Sequence, residues 1–181
     1  MSGGIHAWHG LRATGAPDAG MAYLEPAKRP EELIALAWML EEGSCRFYEE
    51  MGTKEKSPEE VALFQELRGD EEKHKSSLLK VYRGLSGKEP EPGFLRSLIS
   101  PESGDDYLEG GIRLKEALEW SRGKDLSHIL EFSISLEVNA IDLYIKMERR
   151  VEGKEAKEVF LVLSNQERNH LKRLSTALEN S

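Results

Sequence analysis

The chain has 181 residues, 39% of them hydrophobic and 32% charged, with a formal net charge of −8. That length suits one compact domain plus additional segments, and the acidic balance argues against a nucleic-acid partner, since phosphate binding needs clustered Lys and Arg. A single Cys, Cys45, excludes a disulfide within the chain and an iron site with four Cys ligands, and no apolar run reaches the roughly 18–20 residues that span a bilayer. No membrane partner is expected, and a reducing cytoplasm is the expected compartment.

Residues 1–28 carry no sustained helical period and are rich in Gly, Ala and Pro, so an irregular tail is expected. The start, MSGGIHAWHG, has no basic segment followed by an apolar stretch and does not read as a signal peptide. Residues 2–20, SGGIHAWHGLRATGAPDAG, resemble the closing segment of a rhodanese (sulfurtransferase) domain, whose catalytic Cys loop would lie upstream. The resemblance implies the C-terminal piece, or a relic, of a longer rhodanese-containing protein; a Gly-rich leader is the alternative. The domain reading is a tail over residues 1–28 and a helical domain over 29–181.

The first helix is expected from Pro30 to Met51, with Gly52 at its exit. Leu33, Ile34, Ala37, Leu40, Glu41, Cys45 and Tyr48 recur along it mostly at three- and four-residue steps. Ser57-Pro58-Glu59-Glu60 supplies an N-cap, a Pro at the first helical position and a capping-box Glu, so a second helix should run to about Tyr82, before Gly84. Residues 84–111 contain six Gly and three Pro and read as a long crossover, with room for a short helix near Phe94–Leu98. Ile112–Arg122 has a helical pattern that Gly123 interrupts. Asp125 then caps a third long helix over 125–151, Gly153 ends it, and a fourth covers 154–178. Two helical hairpins joined by a long crossover make an all-α four-helix bundle of ferritin-like topology, with an irregular N-terminal tail.

Six metal-type side chains fall into two triplets of equal internal spacing: Glu41, Glu71 and His74, then Glu137, Glu167 and His170. Each member of the second lies 96 positions after its counterpart (137 against 41, 167 against 71, 170 against 74), and a Tyr recurs seven residues after the first Glu, as Tyr48 and Tyr144. A Glu and the His three residues on share one helix face. One Glu from each of two helices, with Glu-x-x-His from each of the other two, is the ligand set of di-iron and di-manganese carboxylate bundles. Four core glutamates would carry about −4, and no Lys or Arg shares the inner stripe of the first or third helix to offset them; two divalent cations would. The expected cofactor is two metal ions, iron first, with manganese or zinc as alternatives.

Surrounding residues are also readable. The residue four before each His shares its face and can accept the free ring N–H: Asp70 for His74 and Gln166 for His170. That difference predicts two inequivalent metals. Tyr48 and Tyr144 are placed to hydrogen-bond the carboxylates or simply to pack. Cys45, one turn after Glu41, reads as a small buried residue; His128, His6 and His9 read as non-ligands, and Trp38 and Trp120 as packing residues.

Residues 30–179 resemble the rubrerythrin branch of the ferritin-like superfamily. The resemblance rests on Glu41 with Phe47-Tyr48, Asp70-Glu71-Glu72-Lys73-His74, Glu137 with Leu143-Tyr144, and Glu167-Arg168-Asn169-His170. Rubrerythrins proper carry an additional Glu one turn from the ligand of the third helix. Here those positions hold Ile134 and Ala140, which cannot ligate. The resemblance implies an oxidoreductase that reduces peroxide or O2 at a di-iron centre, with electrons from an external donor and a homodimer as one possible assembly. The alternatives are a ferroxidase or iron-handling protein, a di-manganese catalase-like site, and a non-enzymatic metal-binding module of a rhodanese fusion.

Overall fold

The computed structural model describes residues 29–54, 57–89 and 106–181. Helices α1 (Pro30–Lys54) and α2 (Pro58–Ser86) come first. An antiparallel hairpin of β1 (Tyr107–Leu108) and β2 (Ile112–Arg113) follows, then a short α3 (Leu114–Trp120) and the long helices α4 (Leu126–Arg150) and α5 (Lys154–Glu179). The architecture is the expected all-α bundle: α1 packs along α2, α4 along α5, and α2 meets α5. No helix among the described residues is long and apolar enough to cross a membrane.

Local chemistry sets the helix ends. Ser57 accepts from the Glu60 amide at 3.4 Å with Pro58 at the first helical position, and Asp125 accepts from the His128 amide at 3.0 Å. Two ends lie beyond their expected stops. Helix α1 continues through Gly52 to Lys54, and α2 through the exposed Gly84 to Ser86. A helical Gly costs only about 1 kcal/mol relative to Ala, which packing on either side outweighs. The real exit of α2 is Gly87, whose left-handed φ of 66° lets its amide reach the Arg83 carbonyl at 2.9 Å. The helical pattern over Ile112–Arg122 is only partly realised, because Ile112 and Arg113 pair back onto Leu108 and Tyr107 as a strand. The tail, its rhodanese-like stretch and the short helix expected near Phe94–Leu98 lie outside the described residues.

The core has two apolar layers with a polar one between them. Leu33–Leu40 of α1, Leu78 and Tyr82 of α2, Ala140–Met147 of α4 and Ala156–Leu163 of α5 contribute to one layer. Phe47, Tyr48 and Met51, Phe64 and Leu67, Ile129–Leu136 and Leu174 contribute to the other. The helix segments between these layers carry Glu41, Glu71, His74, Glu137, Glu167 and His170, all buried.

Candidate dimetal centre

Helical periodicity brings the six residues to one level of the bundle, each helix supplying either one Glu or a Glu and a His one turn apart. They form two groups that share members. Glu41, Glu71, His74 and Glu167 each place a ligand atom within 4.8 Å of the others, as do Glu71, Glu137, Glu167 and His170. Glu71 and Glu167 belong to both groups, Glu41 and His74 to the first alone, Glu137 and His170 to the second alone. The His74 and His170 rings stack at 5.3 Å between centroids.

The distances are compatible with a shared coordination shell. His74 Nδ1 lies 3.1 Å from Glu41 Oε2, 3.0 Å from Glu71 Oε2 and 2.9 Å from Glu167 Oε1. His170 Nδ1 lies 2.8 Å from Glu167 Oε2, 3.4 Å from Glu71 Oε1 and 3.5 Å from Glu137 Oε2. A ring nitrogen carries at most one proton and cannot donate to three carboxylates. Glu71 Oε2, both Glu167 oxygens and His170 Nδ1, all on the inner side of the cluster, are buried without a hydrogen-bond partner. Buried polar atoms are normally satisfied, so four such atoms in one cluster need another explanation. Spacings of about 3.0 Å are the edges of an octahedron built on metal–ligand bonds of about 2.1 Å. The donor set, four carboxylates and two imidazoles, suits iron, manganese or zinc. The residues fit a metal pair.

Protonation fits as well. Burial pushes the Glu41 carboxyl up to about 8 against the opposing pull of His74. Burial, with the charge of Glu167, raises Glu137 well above the carboxylate range. Glu71 goes the other way: burial works to raise it, but hydrogen bonds with Glu41, His170 and His74 hold it near about 2. For both histidines burial opposes the charge, yet the surrounding carboxylates drive the imidazoles well above their ordinary value. Without metal, the cluster neutralises itself with protons that cations can displace.

Surrounding groups depart in part from expectation. Asp70 faces the other histidine: its Oδ2 lies 3.4 Å from His170 Nε2, while Lys73 at 2.6 Å and Arg173 at 2.5 Å hold its carboxyl down at about 2 despite burial. Gln166 is exposed, and His74 Nε2 has no hydrogen-bond partner. Face-sharing within α2 pairs Asp70 with His74, but the Asp70 carboxylate lies across the interhelical gap from His170 of α5. The tyrosines cross over: the Tyr48 hydroxyl donates to Glu137 Oε1 and the Tyr144 hydroxyl to Glu41 Oε1. Cys45 turns away, its thiol 3.1 Å from Glu72 Oε1, and burial pushes it up to about 12. His128 is half-buried beside Asp125, away from the cluster residues.

The family model for rubrerythrin matches residues 31–119 and 128–181. The chain belongs to the rubrerythrin family. Membership implies a dimetal, usually iron, carboxylate site, and the match covers every helix of the cluster. None of the curated proteins or solved structures compared with the chain matches it. One residue escaped sequence reasoning: Glu109, in the hairpin, is buried and its carboxyl responds to Glu41, Glu71 and Glu137. Its signal is faint, an acidic residue between Tyr107-Leu108 and Gly110-Gly111, where no helical period applies.

Proposed function

We propose that this rubrerythrin-family chain reduces peroxide or O2 at a di-iron centre, taking electrons from an external donor. The observation that carries it is the pair of four-residue groups sharing Glu71 and Glu167, with four inward buried atoms left unsatisfied. Glu71 and Glu167 would bridge the two metals. Glu41 and His74 would complete one site, and Glu137 and His170 the other. When bound, two irons supply two electrons by cycling between ferrous and ferric states.

The chain's own residues position and insulate that chemistry. Tyr48 and Tyr144 fix the carboxylates of the opposite half. Asp70 faces the outer nitrogen of His170, which orients the ring and favours Nδ1 as the ligand atom. The apolar layers above and below limit water. With one Cys in this sequence, no four-Cys iron site is available to feed electrons internally, so the donor is another molecule or domain. We place the protein in the cytoplasm on the same ground.

The test is anaerobic reconstitution with ferrous iron, then stopped-flow mixing with hydrogen peroxide or O2. Rapid oxidation, with turnover when a reductant is added, is expected. Ferrous protein inert to both oxidants overturns the proposal.

A further inference from the structure

Glu109 opens the three-residue tip that joins β1 to β2, ahead of Gly110 and Gly111. Both glycines have left-handed backbones, φ 86° and 73°, a conformation that side chains resist. Their turn lets Glu109 project inward, where it is only 4% exposed. The hairpin is wedged between two long helices. A Cβ on Gly43 of α1 would lie 2.2 Å from the Tyr107 carbonyl oxygen, and one on Gly110 would lie 2.5 Å from Asn139 Nδ2 of α4. Gly43 and Asn139 are counterparts in the duplication, each two residues after the non-bridging glutamate, Glu41 or Glu137. The wedge thus enters at the level of the cluster, on the side where its two halves meet.

Glu109 has no cationic partner among the described residues, so without metal it is held neutral by a proton. Glu109 accepts one hydrogen bond, from the Ser44 hydroxyl, and no Lys or Arg among the described residues pairs with it. Lys75, the buried cation nearby in sequence to the cluster, is engaged by Glu42 at 2.6 Å and Glu72 at 3.0 Å. Its partner Ser44 stands one turn after Glu41 on α1, which sets Glu109 beside the cluster, and burial, with the charges of Glu41 and Glu71, lifts its carboxyl well above the ordinary range. A buried carboxylate with one neutral partner is unfavourable unless a positive charge joins it.

We propose that Glu109 is a seventh protein ligand of the dimetal centre, turning from Ser44 to a metal when the pair is loaded. It would supply from the crossover hairpin the additional carboxylate that Ile134 and Ala140 deny to α4. The inference rests on the dimetal reading of the cluster. Glu109 lies outside both four-residue groups as they stand, so the side chain must rotate.

The test titrates the chelator-stripped full chain anaerobically with Co(II), whose visible bands strengthen as ligands are lost, in wild type, Glu109→Gln and Ser44→Ala. Wild type should bind two Co(II). Glu109→Gln should bind the weaker one at least about tenfold less tightly and absorb more strongly. Ser44→Ala should bind no less tightly than wild type. Thermal melts of stripped and loaded protein guard against misfolding: Glu109→Gln should melt no lower than wild type when stripped, yet gain less from Co(II). Unchanged affinity and spectrum in Glu109→Gln overturn the proposal alone. So does equal destabilisation of stripped and loaded protein, which would mean that Glu109 only anchors the hairpin. Wild type that binds no Co(II) overturns the dimetal reading with it.

Discussion

A buried carboxyl whose folded pKa exceeds its unfolded value binds a proton in the native state that the unfolded chain has released. Between the two values each rise in pH therefore destabilises the fold. Glu41, raised from 4.5 to about 8, has this sign, and Glu137 and Glu109 share it. The raised imidazoles act in the same direction above their unfolded value of 6.5. Asp70 and Glu71, both held near about 2, act oppositely, and their contribution is lost only in strong acid. Stripped protein should thus lose stability from about pH 5 to pH 8, as urea melts at several pH values would show. Metal affinity should run the other way, rising about tenfold per pH unit for each proton displaced. The tyrosines make a second prediction at this scale. Tyr48→Phe and Tyr144→Phe each remove the donor to a buried carboxyl, so each should lower stability by about 1–3 kcal/mol in the same melts. Similar losses are expected because the two bonds are counterparts.

Among the elements, glycines in long helices separate packing from propensity. Gly43→Ala would improve intrinsic helicity by about 1 kcal/mol, yet its Cβ would sit 2.2 Å from the Tyr107 carbonyl oxygen, a backbone atom that cannot step aside. The steric effect wins, and the melting temperature should fall as the hairpin is displaced. At Gly84 a Cβ meets nothing within 4 Å, so Gly84→Ala should stabilise by about 0.5–1 kcal/mol. Calorimetry of the two variants reads both signs. The contrast also explains what the sequence makes legible. Helix cores, Ser57 and Asp125 are visible because periodicity and capping are local. The extension through Gly52 and Gly84 is not, because tertiary packing overrides a weak local penalty. The β-hairpin is hidden for the same reason: Ile112 and Arg113 fit a helix by pattern, and only their partners across the turn decide. Glu109, carried on that hairpin, is hidden with it. Asp70 was visible as a residue but not as a partner, since its pairing with His170 crosses from α2 to α5.

For the molecule as a whole, duplication means that each half needs the other. Neither hairpin of helices holds a complete four-residue group, because each group takes Glu71 from one half and Glu167 from the other. The tyrosine bonds tie the same two halves crosswise through the polar layer. Removing a shared carboxylate should therefore differ in kind from removing an unshared one. Glu41→Ala deletes a member of one group and should leave the chain able to hold one metal firmly. Glu71→Ala deletes a member of both and should reduce bound metal to less than one per chain, as elemental analysis after gel filtration would count. The reverse ordering, or equal loss in both variants, would contradict the shared-bridge arrangement. Stability should move against function. A carboxyl that burial and its neighbours hold above the ordinary range is a cost to the layer, so stripped Glu137→Gln should melt no lower than stripped wild type, although it binds metal worse. On that expectation the two apolar layers hold the polar layer together while protons neutralise it, and loading with metal should raise the melting temperature of wild type more than that of Glu137→Gln.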